Sequence, residues 1–261
     1  GFEYKNLTKN VETSKEYDAV KSYKGRMIFS PGDIVYSSSK IINTQSPKIT
    51  YEKIQNLMDL EKISFSDLRD TVKSFKNLSI HIVGDTIVDS YTDTYPIGGP
   101  VKYPHISVIK TNSKNFVGGA AIIASHIAQT GCKTIFTSVI GNDYNGDFIS
   151  KNLKKNKVLF KKIIDKSRPT VNKNTIVCKN QKILKIDTLD NTLISKEIFD
   201  QIKKNIKKYK TSGVIFSDFR HGIFNKDTIP EYINCLHKKS IKVADSQVAS
   251  RWGNILDFKN F

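Results

Sequence analysis

Cysteine is scarce in this chain of 261 residues, and long apolar runs are missing. The three cysteines, Cys132, Cys178 and Cys235, are far apart and form no CxxC pair, so the sequence indicates neither a disulfide framework nor a zinc knuckle. No apolar run approaches the roughly 20 residues that span a bilayer, and the N-terminus lacks the apolar core of a signal peptide. We therefore expect a protein of the reducing cytoplasm with no membrane partner.

Arginine is also scarce, although the formal net charge is +17. Only five of the 42 basic residues are arginine. A basic surface attracts polyanions, but bidentate and stacking recognition of nucleic acid favours arginine over lysine. We interpret most of the lysines as solvated surface, so a nucleic acid is not the expected partner. A lysine-rich nucleic-acid binder is kept as an alternative that salt-sensitive binding to DNA or RNA would identify.

Strands and helices alternate from about residue 78 onward. Strands are predicted at 78–83, 106–110, 134–139, 158–164, 174–178, 182–186, 213–216 and 241–244, and helices at 119–129, 144–154, 195–208 and 227–238. This alternation predicts an α/β fold with a mainly parallel sheet covered by helices on both faces. Alternating residues ahead of the helix at 119 resemble a small β flap. In such sheets, ligands bind at the carboxyl ends of the strands.

The most informative stretch is Val117-Gly-Gly-Ala-Ala121, where two glycines open directly into a helix of small and aliphatic residues. Glycines let a ligand approach the backbone, and a helix start offers unpaired amides. Tight packing of the helix on the sheet is the alternative interpretation. Upstream, Val83-Gly-Asp-Thr-Ile-Val-Asp89 places two carboxylates at the end of a buried strand.

These motifs together resemble the PfkB-type, or ribokinase-like, carbohydrate kinases, and in particular the kinase half of bifunctional ADP-heptose synthases. The matching text extends over about residues 77–261. It comprises Val83-Gly-Asp-Thr-Ile-Val-Asp-Ser-Tyr91, Val117-Gly-Gly-Ala-Ala121, Ile140-Gly-Asn-Asp143, Arg168-Pro-Thr170, Asn180-Gln181, Ser217-Asp-Phe-Arg-His-Gly222 and Ala244-Asp-Ser-Gln247. Several motifs in the expected order are more specific than any one of them.

The resemblance implies a role for particular residues. Asp89 would accept hydrogen bonds from sugar hydroxyls, with the backbone of Gly118 and Gly119 closing against the sugar. Arg168 would hold an anionic substituent such as a sugar phosphate, with a structural salt bridge as the alternative. Asp218 and Asp245 would lie in the nucleotide and Mg²⁺ region. The implied cofactors are ATP and Mg²⁺, the implied substrate is a sugar phosphate, and the flap would pair two subunits into a homodimer.

The N-terminal residues resemble the closing part of a cytidylyltransferase-type nucleotidyltransferase. The match rests on residues 1–5, 23–25 and 36–42, and Ser37, Ser38 and Ser39 would form the loop that contacts the nucleotide. An ordinary helix cap is the alternative for these serines. The five histidines show no HExxH spacing, so a protein-bound transition metal is not expected.

Two motifs of the resembled families are absent from the sequence. Gly-Ala-Gly-Asp, which carries the base of the kinases, and HxGH, which the transferases use on the triphosphate, do not occur. We therefore assign no catalytic residue and expect the base to lie beyond the chain end. The predicted organisation is a Rossmann-like transferase tail (1–45), a helical linker (46–76) and part of a kinase domain (77–261). A noncatalytic sugar-binding or scaffold relative of the kinase is the alternative.

Overall fold

The computed structural model describes residues 11–22, 25, 46–98, 107–247 and 258, with side chains from residue 17 onward in the first segment and from residue 53 onward in the third. The chain divides between Ser64 and Phe65 into two compact units. The predicted transferase loop with its three serines lies outside the described residues. The three-domain organisation stays a prediction.

The first unit contains two described helices, α1 (Val11–Ser22) and α2 (Ser46–Glu61). Beyond the end of α1, the N–H of Gly25 donates to the carbonyl of Val20 at 3.0 Å. Helix α2 ends where Lys62 takes a left-handed conformation with φ of 55°. This reversal lets the N–H of Ile63 reach the carbonyl of Met58 at 2.9 Å, which satisfies an otherwise unpaired end carbonyl.

The second unit contains the alternating elements. In chain order they are α3 (Phe65–Ser74), a 3-10 turn (Phe75–Asn77), β1 (Ser79–Gly84), β2 (Thr86–Pro96), β3 (Val108–Gly118), α4 (Gly119–Gln129), β4 (Lys133–Ile140), α5 (Tyr144–Lys155), β5 (Leu159–Ile164), β6 (Val171–Cys178), β7 (Gln181–Thr188), α6 (Lys196–Lys208), β8 (Gly213–Asp218), α7 (Thr228–Asn234) and β9 (Ile241–Ser246). None of the described helices has the length and apolar character to cross a membrane.

Five strands form a sheet, called sheet A, in the order β5-β4-β1-β8-β9, and all its pairings are parallel. This confirms the predicted mainly parallel sheet. Strand β1 lies at the centre with Ile82 and Val83 fully buried. Their side chains point to opposite faces because successive strand residues alternate, and each enters a different core.

Helices cover both faces of sheet A, as predicted. On one face, Ile82 packs with the small residues of α4 and with Ile149 of α5. On the other face, Val83 packs with Ile202 of α6 and Tyr232 of α7. The spacing of apolar residues on α6 is the reason for its placement, because Ile198, Ile202 and Ile206 line one side of the helix.

The predicted flap is a second sheet, called sheet B, with the order β3-β2-β6-β7. Strand β2 pairs in an antiparallel sense with β3 and in a parallel sense with β6. Strands β6 and β7 form a hairpin whose turn residues, Lys179 and Asn180, both have positive φ, which suits a tight two-residue turn.

Strand β2 was not among the predicted strands, although it belongs to the predicted flap, and β6 begins at Val171 instead of the predicted 174. The bounds of β3 and α7 also differ from those predicted. Strand β3 extends to Gly118, although its polar residues 111–115 have low strand propensity, because cross-strand bonds such as Ser90 Oγ to Asn115 Oδ1 at 2.8 Å hold them. The helix predicted to end at 238 ends at Asn234, where the N–H of Cys235 turns back to the carbonyl of Tyr232 at 3.0 Å.

Candidate functional site

Asp85 joins three elements at the carboxyl end of β1. Its Oδ2 accepts hydrogen bonds from the backbone N–H of Phe219 at 2.8 Å and of His221 at 3.3 Å. Its carbonyl accepts a hydrogen bond from the N–H of Ala120 at 2.9 Å. Burial, followed by the charge of Asp218, raises the pKa of Asp85 to about 7. Asp85 therefore holds the loop after β8 and the first turn of α4 against the end of β1.

The predicted sugar-binding residues come together beside this junction. Asp89 is half-buried in β2, and a Cβ on Gly118 would overlap its Oδ2, so the carboxylate lies directly against the Gly118 backbone. Gly119 has φ of +57°, and a Cβ there would come within 2.5 Å of the Asp85 carbonyl. Close backbone approach thus requires both glycines. Their contact with a sugar stays a prediction.

A groove of about 510 Å³ opens on the face of sheet B that carries Asp89. Tyr91 of β2, Lys173 and Thr175 of β6, and Lys182 and Lys185 of β7 line it together with Asp89. Residues two apart along a strand share a face, which explains why alternate residues of β2 and β6 meet there.

The opposite face of sheet B is held by a ladder of buried hydroxyl and amide side chains. The Thr92 hydroxyl donates to Asn174 Oδ1 at 2.9 Å, and Asn172 Nδ2 donates to Ser90 Oγ at 2.7 Å. Ser90, Thr92 and Thr94 are only 5%, 6% and 8% exposed. These hydrogen bonds satisfy the buried polar side chains on this face and fix the register of β2 against β6. The residues on the groove face therefore keep fixed neighbours.

Two other matched motifs fix the start of β6. Thr170 donates its backbone N–H to Asp143 Oδ2 at 2.7 Å, and its hydroxyl oxygen accepts a hydrogen bond from the N–H of Gly141 at 2.9 Å. The other oxygen of Asp143 caps α5 by accepting the N–H of Gly146 at 2.8 Å. The contact between residues 141–143 and Thr170 therefore positions Lys173, which lies three residues further along the chain.

All three guanidinium nitrogens of Arg168 donate hydrogen bonds to other residues of the chain. Its Nε donates to Asp165 Oδ2 at 2.7 Å, one terminal nitrogen to the carbonyls of Thr192 at 3.1 Å and His221 at 3.4 Å, and the other to the carbonyl of Leu193 at 3.2 Å. The side chains of the ion pair are each 8% exposed. These contacts have the form of a structural salt bridge, the alternative interpretation, and contact of Arg168 with a substrate stays a prediction.

Both carboxylate oxygens of Asp218 likewise have partners within the chain. Its Oδ1 accepts the backbone N–H of Arg220 at 2.8 Å, while its Oδ2 pairs with the Arg220 guanidinium at 3.1 Å and accepts the hydroxyl of Ser246 at 2.8 Å. The residue is 2% exposed. This carboxylate orients the loop after β8, and its contact with a nucleotide or Mg²⁺ stays a prediction. Asp245 is exposed on the edge strand β9, opposite Ser217.

The described part of the chain holds no cluster of three His, Cys, Asp or Glu side chains that could bind a metal ion. Because the oxygens of Asp218 are already satisfied, the residues present do not fit Mg²⁺ by themselves. Mg²⁺ is commonly held by one or two carboxylates together with substrate phosphates.

His221 and Lys173 were not among the predicted site residues. His221 Nδ1 hydrogen-bonds Asn191 Oδ1 at 2.7 Å, and its buried Nε2 has no partner among the described residues. Burial, and then the positive charge of Lys173, lower the pKa of His221 to about 4. Lys173 lies one residue before the predicted strand 174–178, and no signal in the sequence places it next to Asp89.

No family model matches the chain. Bifunctional protein HldE of Campylobacter jejuni subsp. doylei is 30% identical over 165 residues, which are 62% of this chain and 33% of the relative. Bifunctional protein HldE of Sulfurimonas denitrificans is 29% identical over 173 residues, which are 63% of this chain and 35% of the relative. The chain thus spans about a third of the length of these curated relatives.

Among solved structures, phosphofructokinase-2 from Escherichia coli in complex with fructose-6-phosphate has a TM-score of 0.52 and 18% identity, covering 65% of this chain and 55% of that chain. Sheet A with its flanking helices therefore has the ribokinase-like α/β fold of sugar kinases. The resemblance stated from the motifs is confirmed, since the chain is similar in sequence to bifunctional HldE proteins.

Proposed function

We propose that the chain forms the sugar-binding part of an ATP-dependent carbohydrate kinase whose acceptor is a sugar or sugar phosphate of the heptose-phosphate class. The observation that carries the proposal is the Asp89 carboxylate lying against the Gly118 backbone at the start of α4. A half-buried carboxylate accepts hydrogen bonds from sugar hydroxyls, and a bare glycine backbone lets the ring come close.

In the proposed reaction, a sugar hydroxyl oxygen bonds to the γ-phosphorus of ATP while the bond from that phosphorus to the bridging oxygen breaks. ADP leaves, and the hydroxyl proton passes to a base. Mg²⁺ would enter as the complex of the ATP phosphates, since the described residues do not hold it by themselves. The reaction would take place in the cytoplasm. Positioning supplies much of the catalysis in phosphoryl transfer, and Asp89 and the Gly118 backbone provide it for the acceptor. No described residue is assigned as the base.

We propose further that the chain belongs to a bifunctional protein with a nucleotidyltransferase part, because it is similar to bifunctional relatives over 62% of its length.

We also propose a homodimer that forms through sheet B. Tyr95, Ile109 and Leu184 are 60%, 54% and 57% exposed on this sheet. Light scattering should give twice the mass of the chain, and Ile109→Lys should halve that mass; a monomeric wild-type protein would contradict the homodimer.

Binding of the acceptor is tested by titration calorimetry of this chain with fructose, fructose-6-phosphate and a heptose phosphate. Asp89→Asn should weaken binding of each bound sugar by about tenfold or more, because it removes the charge from a hydrogen-bonded acceptor. Asp227→Asn, an exposed carboxylate beside α7, is the matched control and should bind normally. Equal affinity of wild type and Asp89→Asn would contradict the proposed sugar site.

Turnover is tested on the product of the complete gene. ATP-dependent release of ADP with a sugar phosphate as acceptor, abolished in Asp89→Asn, supports the kinase. Sugar binding that depends on Asp89 without any ADP release would instead favour the noncatalytic sugar-binding relative. Binding of DNA that weakens steeply with salt, in the absence of sugar binding, would favour the nucleic-acid binder.

A further inference from the structure

Lys173 is the direct neighbour of Asp89 in sheet B. The two residues are paired in the parallel register of β2 and β6, with Phe116 of β3 on the other side of Asp89. Side chains of paired residues in neighbouring strands project from the same face of a sheet. Both line the groove, so a ligand held by the Asp89 carboxylate lies within reach of the Lys173 ammonium.

The groove is positively charged. Its lining includes three lysines, Lys173, Lys182 and Lys185, and a single carboxylate, that of Asp89. A second carboxylate, that of Asp187, lies opposite Lys173 in the register of β6 and β7, and it pairs with Lys185 at 3.7 Å between the charged atoms. Lys173 makes no ion pair with any described residue. The half-buried ammonium of Lys173 is thus available for an anionic ligand.

Two other cations near the strand ends are not available to a ligand. The guanidinium of Arg168 is used by Asp165 and backbone carbonyls, and that of Arg220 by Asp218 and by the carbonyl of Gln247 at 2.8 Å. Lys173, by contrast, lies in the groove beside Asp89.

We infer that Lys173 binds the anionic substituent of the acceptor and makes this site prefer a sugar phosphate over the corresponding plain sugar. The inference rests on the proposed function, since it assumes that Asp89 holds the sugar ring. A phosphate next to an unpaired ammonium in a groove gains a charge-assisted hydrogen bond that a hydroxyl cannot replace. The resemblance implies this role for Arg168, whose guanidinium donates to Asp165 and to backbone carbonyls.

The test compares fructose and fructose-6-phosphate, which differ only in the phosphate, by titration calorimetry on the whole chain. Lys173→Met should weaken fructose-6-phosphate binding by about tenfold or more and leave fructose binding unchanged. Lys173→Arg keeps the charge and should retain most of the affinity. Lys204→Met removes an exposed lysine of α6 and is the matched control for net charge. Thermal unfolding of each variant checks that it is folded.

The outcomes separate the inference from the proposed function. If Asp89→Asn weakens fructose-6-phosphate binding but Lys173→Met behaves like Lys204→Met, the role of Lys173 is overturned and the sugar site stands. Equal weakening of fructose and fructose-6-phosphate by Lys173→Met would also overturn it, because the lysine would then serve the ring or Asp89. Sugar binding that does not depend on Asp89 would overturn both.

Discussion

The Oδ2 of Asp85 accepts the backbone N–H of Phe219 at 2.8 Å, and this bond connects the ends of β1 and β8. The two strands are adjacent in sheet A, so their carboxyl ends share one edge. The loop after β8 and the start of α4 are both held at this edge by Asp85. The protonation state of the buried Asp85 carboxyl group therefore affects the stability of this junction.

We expect Asp85 to make stability depend on pH. Burial raises the pKa of Asp85 from 3.8 to about 7, so its stabilising contribution is full below pH 3.8 and is lost as the pH rises through 7. Asp85→Asn should therefore gain stability relative to wild type between pH 4 and pH 8, by about 2–4 kcal/mol since one pKa unit is about 1.4 kcal/mol. Chemical denaturation across this range measures the difference.

Asp200→Asn is the control for this titration, because Asp200 is exposed on α6. Its stability should follow that of wild type at every pH. A constant difference between Asp85→Asn and wild type from pH 4 to pH 8 would show that Asp85 does not titrate in this range.

Gly118→Ala should impair sugar binding while sparing the fold. Gly118 has φ of −130°, which alanine adopts without strain, but the added Cβ would displace the Asp89 carboxylate. We expect sugar affinity to fall by about tenfold or more, and the unfolding midpoint to change little. Gly98→Ala is the comparison variant and should bind sugar normally. No atom lies within 4 Å of its added Cβ, and only the positive φ of Gly98 opposes alanine. Normal sugar binding by Gly118→Ala would contradict the proposed sugar site.

Arg168→Met should destabilise the second unit strongly. The change leaves the carboxylate of Asp165 buried without its cation and leaves the carbonyls of Thr192 and Leu193 without their donor. Loss of one partner of a buried ion pair costs about 3–5 kcal/mol. Urea unfolding at pH 7 measures this loss.

The same variant has a characteristic pH dependence. Burial opposes ionisation of Asp165, but hydrogen bonds from Ser167 and Arg168 outweigh it and lower the pKa of this carboxyl group. Its stabilising contribution is present above the ordinary pKa of 3.8 and is lost as the pH falls below it. The difference between wild type and Arg168→Met should therefore shrink in acid. Lys73→Met, which breaks the exposed pair with Asp70, should show little effect at any pH.

Tyr232→Phe should not destabilise the protein. Tyr232 is fully buried among aromatic rings, and its hydroxyl has no hydrogen-bond partner among the described residues. Without this hydroxyl, folding no longer buries an unsatisfied polar group. The free energy of unfolding should therefore stay the same or rise by about 1 kcal/mol. Ile229→Ala in the same core is the contrasting change and should cost about 2–5 kcal/mol. A clear loss in Tyr232→Phe would reveal a bond to the hydroxyl.

Local sequence was sufficient to predict the elements around sheet A. Helix α4 has the predicted bounds 119–129, because its glycine start and its run of small apolar residues are both local features. Strand β1 was predicted within one residue at each end from a continuous buried run. The lengths of β2 and β3 were not predicted, since polar residues such as Asn115 enter a strand only when a neighbouring strand supplies their partners.

The sequence by itself determined the alternation of strands and helices, the glycine pair beside Asp89 and the family that these motifs resemble, because all of these depend on residues close together in the chain. Only the tertiary structure decided which charged groups lie side by side. The parallel pairing of β2 with β6 joins residues about 84 positions apart, as in the Asn172 to Val88 hydrogen bond, and so places Lys173 beside Asp89. The same folding buries Arg168 against Asp165, because a desolvated cation must be paired.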